Sequence, residues 1–381
     1  LKDFLAGFSN LETPFYFYDL SILDETISAI RQANRYGYHI HYALKANNNP
    51  RILERIRKAG FGVDCVSGNE IRIGLENDFD ASHVVLAGVG KTDKEIQYAI
   101  DQNIFSFNVE SIQELEVINE IATKKGKVAN VSIRINPAID AGTHHYITTG
   151  AKENKFGISE DELFGALVQI QAMTNIHFIG LHYHIGSQIM DLGRFKNLAV
   201  RVNDIQQKLV AKGVELPHLN VGGGLGIDYE NPDENPVPDF ETYFKTFHEN
   251  LELLPGQELH FELGRSVVGQ CGSLISRALY VKEGSDTNFL IIDAGMNDLM
   301  RPALYQAQHK VISLSGRSEE KKYDVVGPVC ESSDTFGKGL MLPETKRGDF
   351  LVIRSAGAYG ETMKNTYNAR ELAKPYYSED F

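Results

Sequence analysis

Cysteine is scarce in this chain: only Cys65, Cys271 and Cys330 occur in 381 residues. They are too few and too scattered for a disulfide framework or a CxxC metal site, which favours a reducing compartment and a cytoplasmic location. Basic blocks are missing as well. The formal net charge is -13 and no run of lysine or arginine offsets it, so nucleic acid and anionic membranes are disfavoured as partners and small-molecule work is favoured. No apolar run approaches membrane-spanning length, and the opening residues, Leu1-Lys2-Asp3-Phe4, lack a signal-peptide hydrophobic region. Internal repeats and low-complexity tracts are likewise absent.

What is present is an ordinary globular composition, 42% hydrophobic and 23% charged. The chain exceeds the size one core usually serves, so one large domain with a smaller one, or two comparable ones, is expected. Between residues 39 and 265, short β-branched apolar runs alternate with stretches of helical period, as in a parallel sheet with crossover helices. About eight such units are present, with strand candidates at His39–Ala46, Gly62–Ser67, Val84–Gly88, Ile104–Val109, Asn130–Pro137, His177–Gly186, His218–Gly224 and Leu259–Arg265. That number closes into a TIM (β/α)8 barrel, expected over residues 25–265. After Arg265 the texture turns to strand-like segments without long helices, so 266–381 reads as a β-rich C-terminal domain, a sandwich or barrel-like unit. Phe15–Asp19, within residues 1–24, has no helix pairing it to the barrel and is expected to join that β domain.

TIM barrels place their chemistry at the C-terminal ends of the strands. Here those ends carry Lys45, Asp64, Asn108, Arg134 with Asn136, His184, Gly222–Gly224, and Glu262 with Arg265. Lys45 ends an apolar strand, where partial desolvation would make its amine a nucleophile fit for Schiff-base chemistry; taken alone it reads more readily as a lysine snorkelling out of a strand end, and the other strand ends change that weighting. Gly222, Gly223 and Gly224 follow strand seven, where barrels commonly hold a phosphate with bare backbone N–H groups, though a plain turn has the same composition. Ser187 could add a hydroxyl or simply shape a turn. Glu262 could keep a pyridine nitrogen protonated, or form a structural ion pair with Arg265. His182 and His184 lie two apart on one strand and invite a metal reading, but further ligands are not evident and no metal is expected; His184 suits stacking on an aromatic cofactor, and His182 reads as core.

Five segments, HYALKANNN, GVDCVSGNE, HYHIGSQ, NVGGGLG and FELGRS, together resemble the pyridoxal-phosphate decarboxylases and racemases built on an alanine-racemase-like barrel plus a β domain. Four more, INPAIDAGTHHYITTGAKENKFGI, DAGMNDLMRPALY, VVGPVCESSDTFG and SAGAYGETMKNTYN, resemble the diaminopimelate decarboxylase family in particular. The resemblance runs from YFYD to TYNAR. It implies pyridoxal 5'-phosphate as cofactor and decarboxylation of meso-2,6-diaminopimelate to L-lysine as the activity. It implies Lys45 as the Schiff-base lysine, His184 on the cofactor ring and Glu262 at the ring nitrogen. Ser187, Gly223, Gly224 and the Glu262–Arg265 turn, with Gly264, would hold the phosphate, and Tyr359 would approach the cofactor. Arg265, Arg301 and Tyr305 would bind the distal carboxylate and Glu331 the distal ammonium. Cys330 would return a proton to the α-carbon from the other subunit of a homodimer.

The rivals share the architecture or the cofactor. An ornithine or arginine decarboxylase would not need Arg301, whose charge opposes a simple cationic tail. A racemase needs two opposed bases and no clamp for a second carboxylate. A non-catalytic pyridoxal-phosphate-binding protein would need neither Cys330 nor Glu331. The stretch His144–Phe156, rich in glycine, threonine and charge, is the candidate for a mobile active-site loop.

Overall fold

A computed structural model describes residues 4–139 and 155–381. All of His144–Phe156 except Lys155 and Phe156 therefore lies outside the described residues. The first strand, β1 (Phe15–Tyr18), precedes eight parallel strands that close on themselves: β2 (His39–Ala43), β3 (Gly62–Cys65), β4 (Val84–Leu86), β5 (Ser106–Val109), β6 (Ala129–Arg134), β7 (Ile176–His182), β8 (His218–Asn220) and β9 (Glu258–Leu263). The barrel closes where β9 pairs with β2. Each expected strand is present, and all but Ser106–Val109, which instead starts later than expected, are shorter at the C-terminal end, because the chain leaves the ladder where its polar strand-end residues begin. After β2, for example, Leu44–Ala46 forms a short 3-10 turn.

The crossover helices start where sequence dictates. Thr92 and Glu95 form a reciprocal capping box before Asp93–Gln102, and Ser159 and Glu162 do the same before Glu160–Ile170, each satisfying helix-end N–H groups that would otherwise lack partners. Gly126, with φ +63, ends Ile112–Lys125 in the left-handed conformation that glycine adopts without penalty.

The remaining strands are β10 (Gly272–Lys282), β11 (Asn288–Ile292), β12 (Val311–Ser313), β13 (Glu320–Val326), β14 (Thr335–Pro343), β15 (Phe350–Ile353) and β16 (Lys374–Tyr377). They run β12-β15-β10-β11-β13-β14 in one sheet, and β1 pairs antiparallel with β10 and parallel with β16. Phe15–Asp19 thus does supply a strand to the β-rich part. Its aromatic residues explain why: Phe15 and Phe17 join Phe8, Ile275, Phe350 and Val352 in one buried cluster, and burying such side chains contributes roughly 1.5–3 kcal/mol each. Arg265–Val268 is a helical turn rather than the start of a strand.

The chain forms two compact units. The barrel unit comprises Ile27–Gly226 and Asp239–Gly264; the sheet unit comprises residues through Thr26, Ile227–Pro238 and Arg265–Phe381. The segment Ile227–Pro238 was expected within the barrel domain. Its polar groups bind the sheet unit instead: Gln270 donates to the Asp228 carbonyl at 2.7 Å, and Arg354 to Asp233 at 2.7 Å. No helix among the described residues is long and apolar enough to cross a membrane.

Candidate active site

In the barrel unit, Glu262 near the end of β9 is fixed from three strands. Its Oε1 accepts from Asn108 at 3.0 Å and from Asn220 at 2.8 Å, and its Oε2 lies 3.1 Å from His182 Nε2. Asn220 also accepts the Gly222 N–H at 2.8 Å, which ties the carboxylate to the glycine turn. Burial pushes the Glu262 carboxyl up, while the charges of Lys45 and Arg134 and the two amide donors oppose that shift. Asp64 is pushed up in the same way, by burial first and then by Glu262; its Oδ1 is buried without a hydrogen-bond partner. His182 and His184 are both held well below the usual imidazole range by burial and nearby cations, so both are neutral at pH 7. The Gly223 N–H donates to His184 Nδ1 at 3.2 Å, which places the ring proton on Nε2.

The glycines allow two close approaches. A Cβ on Gly223 would lie 1.8 Å from the Glu262 carbonyl oxygen, and one on Gly224, where φ is +109, would lie 2.4 Å from the Gly186 carbonyl oxygen. Only bare backbone brings the turn after β8 against both the end of β9 and the loop that carries Ser187. Lys45 differs from expectation: it is the exposed member of an otherwise buried turn, so the strand end alone does not desolvate it. Its charge still acts on Asp64, Glu262 and His184. A primary amine, a neutral imidazole, a braced carboxylate and a glycine turn are the donor set that a pyridine aldehyde phosphate requires, and the orphaned Asp64 oxygen leaves a buried polar atom to be satisfied.

In the sheet unit, Arg265 and Arg301 are both buried at 5% exposure and share Tyr229. Arg265 donates to the Tyr229 hydroxyl at 2.6 Å, and the Arg301 guanidinium lies 4.7 Å from the same ring. Arg265 also sits 4.9 Å from the ring of Tyr359, whose φ of +57 is an uncommon backbone conformation for a tyrosine. Arg301 donates to His309 Nε2 at 2.7 Å, and His309 Nδ1 donates to the Arg354 carbonyl at 2.8 Å. Burial and the Arg301 charge lower His309 to about 3, which keeps it an acceptor. Tyr305 lies close enough to both arginines for its charge state to affect them. Among the described residues no carboxylate pairs with Arg301, and its Nε is buried without a partner.

Cys330 and Glu331 are exposed neighbours in the same unit, and Tyr367 donates to Glu331 at 2.7 Å. No hydrogen bond or ion pair joins Glu331 to Arg301 among the described residues. Gly264 is buried directly after β9. Sequence reasoning missed Tyr229, His309 and Asn220, and it took His182, which braces Glu262, for plain core. A tyrosine five residues past the glycine triplet gave no periodic signal, whereas Asn220 immediately precedes the triplet's valine and could have been flagged as a strand end.

A closed eight-stranded barrel with a β unit is the architecture of the pyridoxal-dependent decarboxylases. The family described as "Pyridoxal-dependent decarboxylase, pyridoxal binding domain" matches residues 21–269. A diaminopimelate decarboxylase of Bacteroides thetaiotaomicron is 56% identical over 98% of this chain and 97% of its own length. The crystal structure of diaminopimelate decarboxylase from Helicobacter pylori complexed with L-lysine superposes with a TM-score of 0.94 at 40% identity, covering 99% of this chain and 94% of that one. Lysine/ornithine decarboxylase from Vibrio vulnificus shares the fold, with a TM-score of 0.85 at 20% identity over 99% of this chain and 97% of that one. This chain belongs to the diaminopimelate decarboxylase family.

Proposed function

We propose that the chain decarboxylates meso-2,6-diaminopimelate to L-lysine and CO2, using pyridoxal phosphate bound by the barrel unit. The observation that carries the substrate choice is Arg301, a buried guanidinium that no carboxylate neutralises among the described residues. A cation in that state is costly unless a ligand supplies the anion, and diaminopimelate has a second carboxylate to offer, whereas ornithine and arginine do not. The lysine in the Helicobacter pylori complex is the product of this reaction.

Bound pyridoxal phosphate supplies an electron sink for the electron pair left on the α-carbon as CO2 departs. Lys45 offers the amine that anchors the cofactor. Glu262 keeps a proton on the cofactor's ring nitrogen, His184 offers a neutral flat ring, and Ser187, Gly223, Gly224 and Gly264 hold the phosphate. Arg301, with Arg265 and Tyr305, takes the distal carboxylate, Glu331 takes the distal ammonium, and Tyr359 contacts cofactor and substrate. The α C–C bond breaks, CO2 leaves, and the thiol proton of Cys330 of the partner subunit completes the new α C–H bond. The functional unit is therefore a homodimer, working in the cytoplasm.

Arg301→Lys tests the clamp. Lysine cannot make the bidentate contact, and loss of one charge-assisted hydrogen bond, roughly 1.5–3 kcal/mol, corresponds to about tenfold or more in KM for diaminopimelate. A KM equal to the parent's would remove Arg301 from the substrate site.

A further inference from the structure

The barrel unit has a second cluster of ionisable side chains at the other end of its strands, where β2 and β9 begin. His39 and His41 alternate on β2, Glu258 and His260 alternate on β9, and His39 pairs in register with His260 across the seam that closes the barrel. Side chains two apart on a strand share a face. His39 Nε2 lies 3.9 Å from Glu258 Oε2, and His260 Nε2 lies 3.6 Å from the same oxygen. One ligand atom from each of the three lies within 4.8 Å of the other two.

His260 is 2% exposed, and its Nε2 has no hydrogen-bond partner. Its Nδ1 is 2.9 Å from His41 Nε2, so one proton serves both nitrogens. The His83 main-chain carbonyl lies beside the His41 ring, whose Nδ1 is buried and makes no hydrogen bond. Residue 62 must be glycine for that approach, since a Cβ would lie 2.4 Å from the His83 oxygen and 2.7 Å from His41 Nδ1. His260 Nε2 is thus a buried ring nitrogen without a hydrogen bond, 3.6 Å from a carboxylate oxygen, and a cation between the two would satisfy both. The contact of His260 Nδ1 with His41 is the kind of outer-shell hydrogen bond that metal-bound histidines ordinarily have.

We infer that His39, Glu258 and His260 form a binding site for a borderline divalent cation such as zinc, which links the first barrel strand to the last. Two imidazoles and one carboxylate suit zinc. Donors around a tetrahedral zinc stand about 3.4 Å apart, so the observed spacings need only modest closing. The His39 and His260 rings stack at 4.5 Å with an interplanar angle of 14°; convergence of their lone pairs requires the exposed His39 ring to turn while His260 stays in place. A cavity of about 640 Å³ lined by His39, His41, Glu258 and His260 leaves room for water as the remaining ligand.

The test is zinc binding to the untagged, pyridoxal-phosphate-loaded chain after chelator treatment, by equilibrium dialysis and metal analysis, beside His39→Ala and Glu258→Gln. Both substitutions are at exposed positions outside the decarboxylation machinery. The expected result is one zinc per chain, at least tenfold weaker binding in each variant, and a zinc-dependent rise in melting temperature in the parent alone, with CO2 release equal in all three. Absence of retained zinc in the parent, or equal zinc binding by both variants, would overturn the site.

Discussion

Asp298 is a carboxyl group placed where a carboxylate is poorly served. It is 1% exposed; its Oδ2 accepts the Gly295 N–H at 2.9 Å, while its Oδ1 has no partner. Burial raises it from 3.8 to about 6. Because the folded value lies above the unfolded one, the stability it contributes is complete below pH 3.8 and is lost as pH rises through about 6. Asparagine keeps the acceptor without the charge. The melting temperature of Asp298→Asn should therefore gain on the parent between pH 5 and pH 8, by roughly 2 °C or more; an offset independent of pH would show that Asp298 does not titrate there. Residues of this kind are invisible to sequence reasoning, since an aspartate in a loop reads as solvated. Lys45, His184, Glu262 and the glycine triplet stood out as candidates because they lie at the ends of strands of a recognisable barrel. Arg301, Glu331 and Cys330 entered as candidates only through family resemblance, and Tyr229 and His309, which contact the arginines, gave no signal at all.

At the scale of elements, the turn after β8 is the most constrained piece of the site. Gly224 combines φ +109 with a carbonyl oxygen 2.4 Å from any Cβ, so Gly224→Ala must move backbone that the cofactor's phosphate is proposed to bind. The variant should fold and release pyridoxal phosphate on dialysis, with affinity lower by about tenfold or more for a distortion of roughly 1.4 kcal/mol; cofactor retention equal to the parent's would take the phosphate away from this turn. The barrel strands were readable because each is a short apolar run, bounded by helical periodicity. β14 was not: Thr335–Pro343 contains Gly337 and Gly339 and alternates weakly, with partly exposed residues along most of its length. β16, Lys374–Tyr377, begins Lys-Pro, a poor strand signal redeemed by pairing with β1.

The whole molecule raises the question of shared sites. If Lys45 of one subunit works with Cys330 of the partner subunit, Lys45→Ala and Cys330→Ala should each be nearly inactive as purified dimers. After subunit exchange, half of the dimers in an equal mixture are hybrids with one intact site out of two, so about a quarter of parental activity should return. No recovery despite demonstrated exchange would place both residues in the same subunit's site.

The most direct measurement is CO2 and lysine release from meso-diaminopimelate by the pyridoxal-phosphate-loaded chain, beside ornithine and arginine, with Lys45→Ala as control. The expected result is one CO2 and one lysine per diaminopimelate consumed, no release from the other two, and loss of activity in the control. Release from ornithine or arginine in place of diaminopimelate would contradict the role given to Arg301, and full turnover without Lys45 would contradict the chemistry itself.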